Sequence, residues 1–231
     1  MLASLKNAAR SIARHSVLFG RLAYRQTGFS QEGEDRVLAR YFGDRANGFY
    51  VDVGAHHPFR FSNTALFHRR GWRGINVDAW PGSMMPFRRA RPDDVNLEVG
   101  VAREAGSARF FIFNDPAMNT FDRDLAERYN RAPWFIERTV EVPLRPLASI
   151  LEEHVPVGQA IDFASIDVEG KDLEVLESND WSRFRPEMLL VEAIGGSLAS
   201  VTEDPIGRLL TGHGYVPYAK TVNTLFFLRL D

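Results

Sequence analysis

Phe49-Tyr50-Val51-Asp52-Val53-Gly54-Ala55, followed at a helix-length interval by Gly74-Ile75-Asn76-Val77-Asp78-Ala79, decides the fold of this chain. Each stretch is a short apolar run closed by an aspartate, so the unit reads as strand, helix and parallel strand with a carboxylate at each strand's ligand-facing end. That arrangement predicts a nucleoside-cofactor site. Asp52 and Asp78 also read as loop or cap residues, but two such carboxylates in one βαβ unit favour the cofactor.

The glycine pattern bears on which cofactor. A dinucleotide's pyrophosphate needs close backbone approach at three spaced positions. After Gly54 the next two hold His56 and Phe59, whose side chains would crowd a diphosphate. S-adenosylmethionine carries no phosphate and asks for one glycine. Asp78, ending the second strand, is placed to accept hydrogen bonds from a ribose diol. A nicotinamide-dependent sugar oxidoreductase stays open as the second reading, and a non-catalytic, membrane-associated binding domain of the same fold as a third.

The chain has 231 residues, 45% hydrophobic and 25% charged, which suits one domain that buries its own core. It contains no cysteine, which excludes a disulfide framework, a thiolate zinc site and a cysteine nucleophile, and permits a reducing cytoplasm. A net charge of −2 argues against general nucleic-acid binding. Residues 1–28 stand apart: Lys6, Arg10, Arg14, Arg21 and Arg25 occur with no acid, and Leu5, Ala9, Ile12, Phe19 and Ala23 fall on another helical face. The segment reads either as a basic amphipathic helix for a partner or the anionic inner face of a membrane, or as a helix packed on the domain. It is too short in apolar length for a transmembrane span. Residues 29–231 are expected to form the domain.

Along that domain, three acids at Glu32, Glu34 and Asp35 head a helix with Val37, Leu38, Tyr41 and Phe42 as its apolar face. A second helix is expected from Ser62-Asn63-Thr64 to Gly71, and a third strand from Val95 to Val101 with Ala108–Phe113 as its hairpin partner. Residues 114–135 are irregular, with a polar, arginine-rich helix, and such insertions often carry substrate contacts. A strand at Thr139–Leu144 and a helix at Leu147–His154 follow. Phe163–Gly170 then ends an apolar strand in Asp167, Glu169 and a glycine, Met188–Glu192 repeats the design, and Tyr215–Tyr218 with Thr224–Leu230 read as an antiparallel pair.

Ser30–Asp35, Phe49–Pro58, Ser62-Asn63-Thr64, Gly71-Trp72-Arg73-Gly74 and Ile166–Gly170 together resemble the FkbM-type S-adenosylmethionine-dependent methyltransferases over about residues 29 to 228. The resemblance implies an α/β, Rossmann-like class I methyltransferase with a seven-stranded, mostly parallel sheet whose last strand is reversed. It implies methyl transfer to oxygen, often on a sugar, so the expected partner is a saccharide or glycoconjugate acceptor. It also implies Asp52, Gly54 and Ala55 as the turn under the methionine part of the cofactor, and Asp78 with Ala79 as the ribose clamp. Gln31, Ser62, Asn63 and Thr64 would line the same pocket, the base would lie near Asn96–Val101 and so beside Gly100, and Asp167 would face the reacting centre. Arg145-Pro146-Leu147 departs from the family, where a leucine-aspartate pair is commoner.

A sugar hydroxyl is a poor nucleophile and needs a base or a metal ion. His56 and His57, directly after the first strand, are candidate bases, or simply fill the turn. Asp167, Glu169 and Glu192 are the rival set, because ends of neighbouring parallel strands lie about 5 Å apart and hard carboxylates suit magnesium. In the competing structural reading, Glu169 caps the following helix and Glu192 pairs with an arginine. The sequence alone leaves base and metal both open.

Overall fold

The structure is a computed structural model and describes residues 28–193 and 200–230. The expectations for residues 1–27 therefore lie outside the described residues. The first two elements follow the acidic motif and the first apolar run: α1 at Glu34–Phe42 and β1 at Phe49–Val53. Then come α2 (Ala65–Arg69), β2 (Arg73–Asp78), α3 (Met84–Ala90), β3 (Val95–Glu98), β4 (Gly100–Val101) and β5 (Gly106–Phe113). A short 3-10 turn at Pro116–Met118 leads to α4 (Arg123–Tyr129), β6 (Ile136–Arg145), α5 (Leu147–His154) and β7 (Phe163–Ile166). The chain closes with α6 (Asp172–Glu177), β8 (Met188–Glu192), α7 (Pro205–Gly212), β9 (Tyr215–Lys220) and β10 (Thr224–Arg229).

The main sheet has seven strands in the order β3-β2-β1-β7-β8-β10-β9. The first five run parallel, and β10 runs antiparallel to both β8 and β9. The expected mostly parallel sheet with its final strand reversed is what the structure contains. Strands such as Phe-Tyr-Val-Asp-Val, buried at every position, read as continuous apolar runs because helices cover both faces of a parallel sheet. On one face Val51, Val53, Ile75 and Val77 pack with Ile150, Leu151 and Val175. On the other, Tyr50, Phe163 and Leu190 pack with Leu38, Phe42, Phe67 and Trp72. Strand order reverses between β1 and β7, and open α/β sheets place ligands outside the strand ends at such a point.

Two expectations need correction. The strand expected over Val95–Val101 is two strands: the Val99 N–H makes the last bond to β2, at the Asp78 carbonyl at 3.0 Å, and Gly100-Val101 leave the main sheet to pair with Leu144-Arg145. The hairpin partner of β5 is β6, matched from Gly106↔Leu144 to Phe113↔Ile136, not the third strand. These three strands form a second sheet, β4-β6-β5, that stands beside the crevice. The second helix starts next to Ser62-Asn63-Thr64, as their capping chemistry predicts: Ser62 Oγ accepts the Ala65 N–H at 3.1 Å and the helix begins there.

Candidate active site

At the C-terminal ends of β1, β2 and β7 lies a cavity of about 390 Å³. Gly54, with φ of +83°, turns the chain out of β1, and Gly54 and Ala55 donate their N–H groups to the Val77 carbonyl at 2.9 and 3.1 Å. This ties the turn to β2 directly below Asp78. The Asp78 carboxylate accepts the backbone N–H of His56 and that of Trp80, each at 2.8 Å. Burial raises its pKa, a rise that those N–H donors offset only in part. A carboxylate has about four acceptor sites, so Asp78 keeps capacity for a ligand after these two bonds.

Across the cavity, β7 and β8 deliver three acids. One carboxylate oxygen from each of Asp167, Glu169 and Glu192 can be chosen so that all lie within 4.8 Å of one another. Burial raises the pKa of each, and repulsion among the three and from Asp172 adds to it. Asp167 faces the open cavity and keeps solvent contact, yet protein crowds its other sides, so the upward direction holds for it as well. Glu169 has φ of +53°, an uncommon conformation for a residue with a side chain. Thr120 Oγ1 holds it there by donating to the Glu169 carbonyl at 2.7 Å. Glu169 does not cap α6, whose start carries no side-chain cap bond; Asp172 in its first turn accepts the Val168 N–H. The charged groups acting on Glu192 are acids, not an arginine.

The two histidines are spoken for. His57 Nδ1 accepts the N–H groups of Phe59 and Arg60 at 3.1 and 3.0 Å, so its ring proton sits on Nε2 and the imidazole fills the turn. His56 lines the cavity, but Arg60 Nη1 lies 3.1 Å from its Nε2, and a guanidinium only donates. Burial and then the nearby Arg60 push the His56 pKa down to about 4. His56 is thus a neutral, weakly basic ring whose free nitrogen carries the proton.

Of the residues singled out in the sequence, Gln31, Gly54, His56, Asn63, Asp78, Ala79, Gly100, Asp167, Glu169 and Glu192 meet around this one cavity. Asp52, Ala55, Ser62, Thr64 and His57 do not line it. The correction has a physical reason for each. Asp52 points to the sheet face opposite Val51 and Val53, where its carboxylate accepts Thr64 Oγ1 at 2.7 Å. Ala55 packs against Met84 and Phe87. Ser62 and Thr64 bond the buried guanidinium of Arg91 at 3.0 and 2.8 Å. The arginines of the 114–135 insertion likewise stay outside, whereas its Met118, Tyr129 and Trp134 join Trp80, Phe110 and Phe121 as apolar walls. No local pattern marks these aromatics, because the pairing of β5 with β6 sets where residues 114–135 lie; the signal the sequence carries is Phe110-Phe111-Ile112-Phe113, too apolar for a solvated hairpin.

A family model described as "Methyltransferase FkbM domain" matches residues 52–216. The chain belongs to the FkbM methyltransferase family. Among solved structures, the FkbM methyltransferase from Methylobacillus flagellatus KT is similar at 12% identity and a TM-score of 0.45, over 79% of this chain and 43% of that one. This chain therefore spans less than half the length of that relative. No curated protein matches it. The matched part of the FkbM domain begins at Asp52 and includes Asp78 and the three acids, but not Gln31, Glu32 and Glu34 at the start of α1 or Asn223 and Thr224 at the start of β10, which also line the cavity. No helix among the described residues is long and apolar enough to cross a membrane.

Proposed function

We propose that this FkbM methyltransferase uses S-adenosylmethionine to methylate a hydroxyl of a saccharide or glycoconjugate. The observation that carries the reading is the pairing of one isolated carboxylate, Asp78, with a cluster of three, Asp167, Glu169 and Glu192, across a single cavity. Asp78 suits a ribose diol, with Ala79 beside it and Gly100 beneath the base.

The residues present fit a cationic thioether and reject a diphosphate. Six acids line the cavity besides Asp78, namely Glu32, Glu34, Asp115, Asp167, Glu169 and Glu192, against Arg60 and Lys171. Arg60 is engaged with His56 and lies 3.5 Å from Asp115; Lys171 lies 3.9 Å from Asp122 and 3.8 Å from Glu174. The helix after β1 starts at Ala65, so no helix N-terminus stands at the Gly54 turn to receive phosphate. This weighs against the nicotinamide reading.

S-adenosylmethionine supplies an electrophilic methyl group on a positively charged sulfur. The chain's part is to align the acceptor and take its proton. A carboxylate of the trio, made more basic by burial and by its neighbours, would receive the hydroxyl proton as the oxygen–methyl bond forms and the methyl–sulfur bond breaks, with S-adenosylhomocysteine as the leaving group. Asp167 stands nearest in the chain to the Gly54 turn's partner strand and is the first choice for that role. The same three oxygens would hold a magnesium ion, which would lower the hydroxyl's pKa. The aromatic faces of Trp80, Tyr129 and Trp134 suit the apolar faces of sugar rings.

Calorimetric titration with S-adenosylhomocysteine and with NAD tests the cofactor: binding of the first alone is expected, and binding of NAD alone would overturn the reading. A screen of carbohydrate and lipid-linked acceptors with labelled methyl donor, with and without EDTA, tests the rest. Methylation confined to amine or thiol acceptors would refute the oxygen assignment.

A further inference from the structure

The parallel strands give the molecule two opposite edges, and its exposed apolar side chains are unevenly shared between them. Phe59 and Phe61 sit in the loop after β1, Met85 in the first turn of α3, and Val222 in the turn before β10, all at the crevice-bearing edge. Val157, ahead of β7, and Leu230, after β10, mark the other edge. Within Pro58-Phe59-Arg60-Phe61 the two rings are 47% and 40% exposed, and the Arg60 guanidinium lies 4.3 Å from the Phe61 ring centroid. Two phenylalanines and an arginine at one loop tip form an amphipathic surface, not a scattering of single apolar residues.

The basic segment joins the domain at the same place. The Phe29 carbonyl accepts the N–H of Ser62, the residue after Phe61, at 3.1 Å, and Arg69 lies over the Phe29 ring at 4.8 Å. Residues 1–28 carry Lys6, Arg10, Arg14, Arg21 and Arg25 without an acid, interleaved with Leu5, Ile12 and Phe19. They hold +5 of a chain whose net charge is −2, which leaves −7 on the rest. An acidic domain does not approach an anionic surface unaided; a basic, apolar-interleaved segment tethered beside exposed aromatics supplies both the attraction and the apolar contact.

We propose that the crevice-bearing edge docks on an anionic lipid bilayer, with residues 1–28 providing the electrostatic attraction and Phe59 entering the boundary between headgroups and acyl chains. A polynucleotide fits less well, because the −7 of the remaining chain would repel an extended polyanion along most of its length. Docking in this orientation points the cavity mouth at the membrane. The inference concerns binding alone and does not depend on which acceptor is methylated.

The absence of cysteine allows a clean test. Phe59→Cys and Val157→Cys each accept one environment-sensitive fluorophore in the full chain, and neither residue lines the cavity. With phosphatidylcholine vesicles containing phosphatidylserine, the label at 59 is expected to shift to the blue and the label at 157 to stay unchanged; pure phosphatidylcholine should leave both unchanged. Sedimentation with the anionic vesicles should fall on the order of a hundredfold or more in the triple variant Arg14→Glu, Arg21→Glu, Arg25→Glu, at roughly fivefold per charge removed. An equal shift at 157, undiminished sedimentation of the triple variant, or binding to RNA in preference to the vesicles would overturn the proposal. So would a blue-shifted label at 59 without vesicles that the triple variant reverses, since the basic segment would then be covering its own crevice.

Discussion

Gly54 and Asp167, the first residues past the paired ends Val53 and Ile166, meet so closely that a β-carbon on Gly54 would lie 1.7 Å from the Asp167 carbonyl oxygen. The glycine therefore serves two contacts at once. Its positive φ turns the chain toward β2 and sets Asp78 in place through the His56 N–H, while its bare α-carbon lets β7 present Asp167 at the same level. Cofactor half and acidic half are held in register by one backbone contact.

Gly54→Ala should consequently damage both halves. The conformation alone costs about 1–3 kcal/mol for a residue with a side chain, and the overlap with backbone cannot relax by a rotamer change. We expect a lower melting temperature and at least a tenfold loss of S-adenosylhomocysteine affinity, measured by thermal melting and calorimetry. A variant with unchanged affinity would mean that the turn is not part of the cofactor site.

The acid trio makes stability depend on pH. An acid whose pKa is higher in the folded protein holds its proton more tightly there, so its stabilising contribution is complete below about pH 4 and is lost as pH rises through the folded value. Asp167, Glu169 and Glu192 are all shifted upward, so the metal-free protein should lose stability from pH 5 to pH 8. Glu192→Gln removes part of that repulsion and should flatten the slope. Magnesium, if it binds the trio, should raise the melting temperature more at pH 8 than at pH 5. Equal slopes in wild type and Glu192→Gln would show that the three acids do not repel one another.

Much of this site was legible in the order of residues, for a specific reason. Buried parallel strands must be apolar throughout, so an acid at the end of such a run, as at Asp78, Asp167 or Glu192, announces itself. Asp52 misled because it obeys the same rule from inside the sheet; its carboxylate answers Thr64 and Arg91 across a buried face, and nothing local in the sequence marks which face it takes. The aromatic walls were hidden because they depend on β5 and β6 pairing over a gap of more than twenty residues. The acids at the head of α1 suit the helix dipole, and the structure gives them a second role that the sequence does not show. They are latches: Asp35 holds Phe29 and Ser30, Glu34 accepts Thr221 Oγ1, and Glu32 accepts both nitrogens of Asn223.

Acceptor activation separates histidine from carboxylate. With its Nε2 beside Arg60 and its pKa near 4, His56 is a poor base at neutral pH. His56→Ala should lower kcat by no more than about tenfold, whereas Asp167→Asn should lower it by about 10²–10⁴-fold with S-adenosylhomocysteine binding changed far less. Steady-state kinetics on any acceptor found in the screen decides between them. A larger loss in His56→Ala than in Asp167→Asn would return the base to the histidine.

Arg91 offers the last test, and it reaches the crevice from behind. Its guanidinium is fully buried and donates to the Pro58 carbonyl at 2.6 Å, to Ser62 and Thr64, and to Asn76 Oδ1 at 3.1 Å, so it pins both ends of the stretch that carries Phe59, Arg60 and Phe61. It also offsets the charge of one buried acid, Asp52, which burial has already pushed up to about 6. Arg91→Met fills the space but leaves Asp52 without its cation and the Pro58 carbonyl without its donor, a change that costs about 3–5 kcal/mol. Because removing the cation raises the Asp52 pKa further, the variant should recover part of its loss as pH falls from 8 to 5.5 and the buried acid takes up a proton. Urea denaturation at the two pH values measures this directly; an identical loss at both would mean that Arg91 acts through its hydrogen bonds alone and not through its charge.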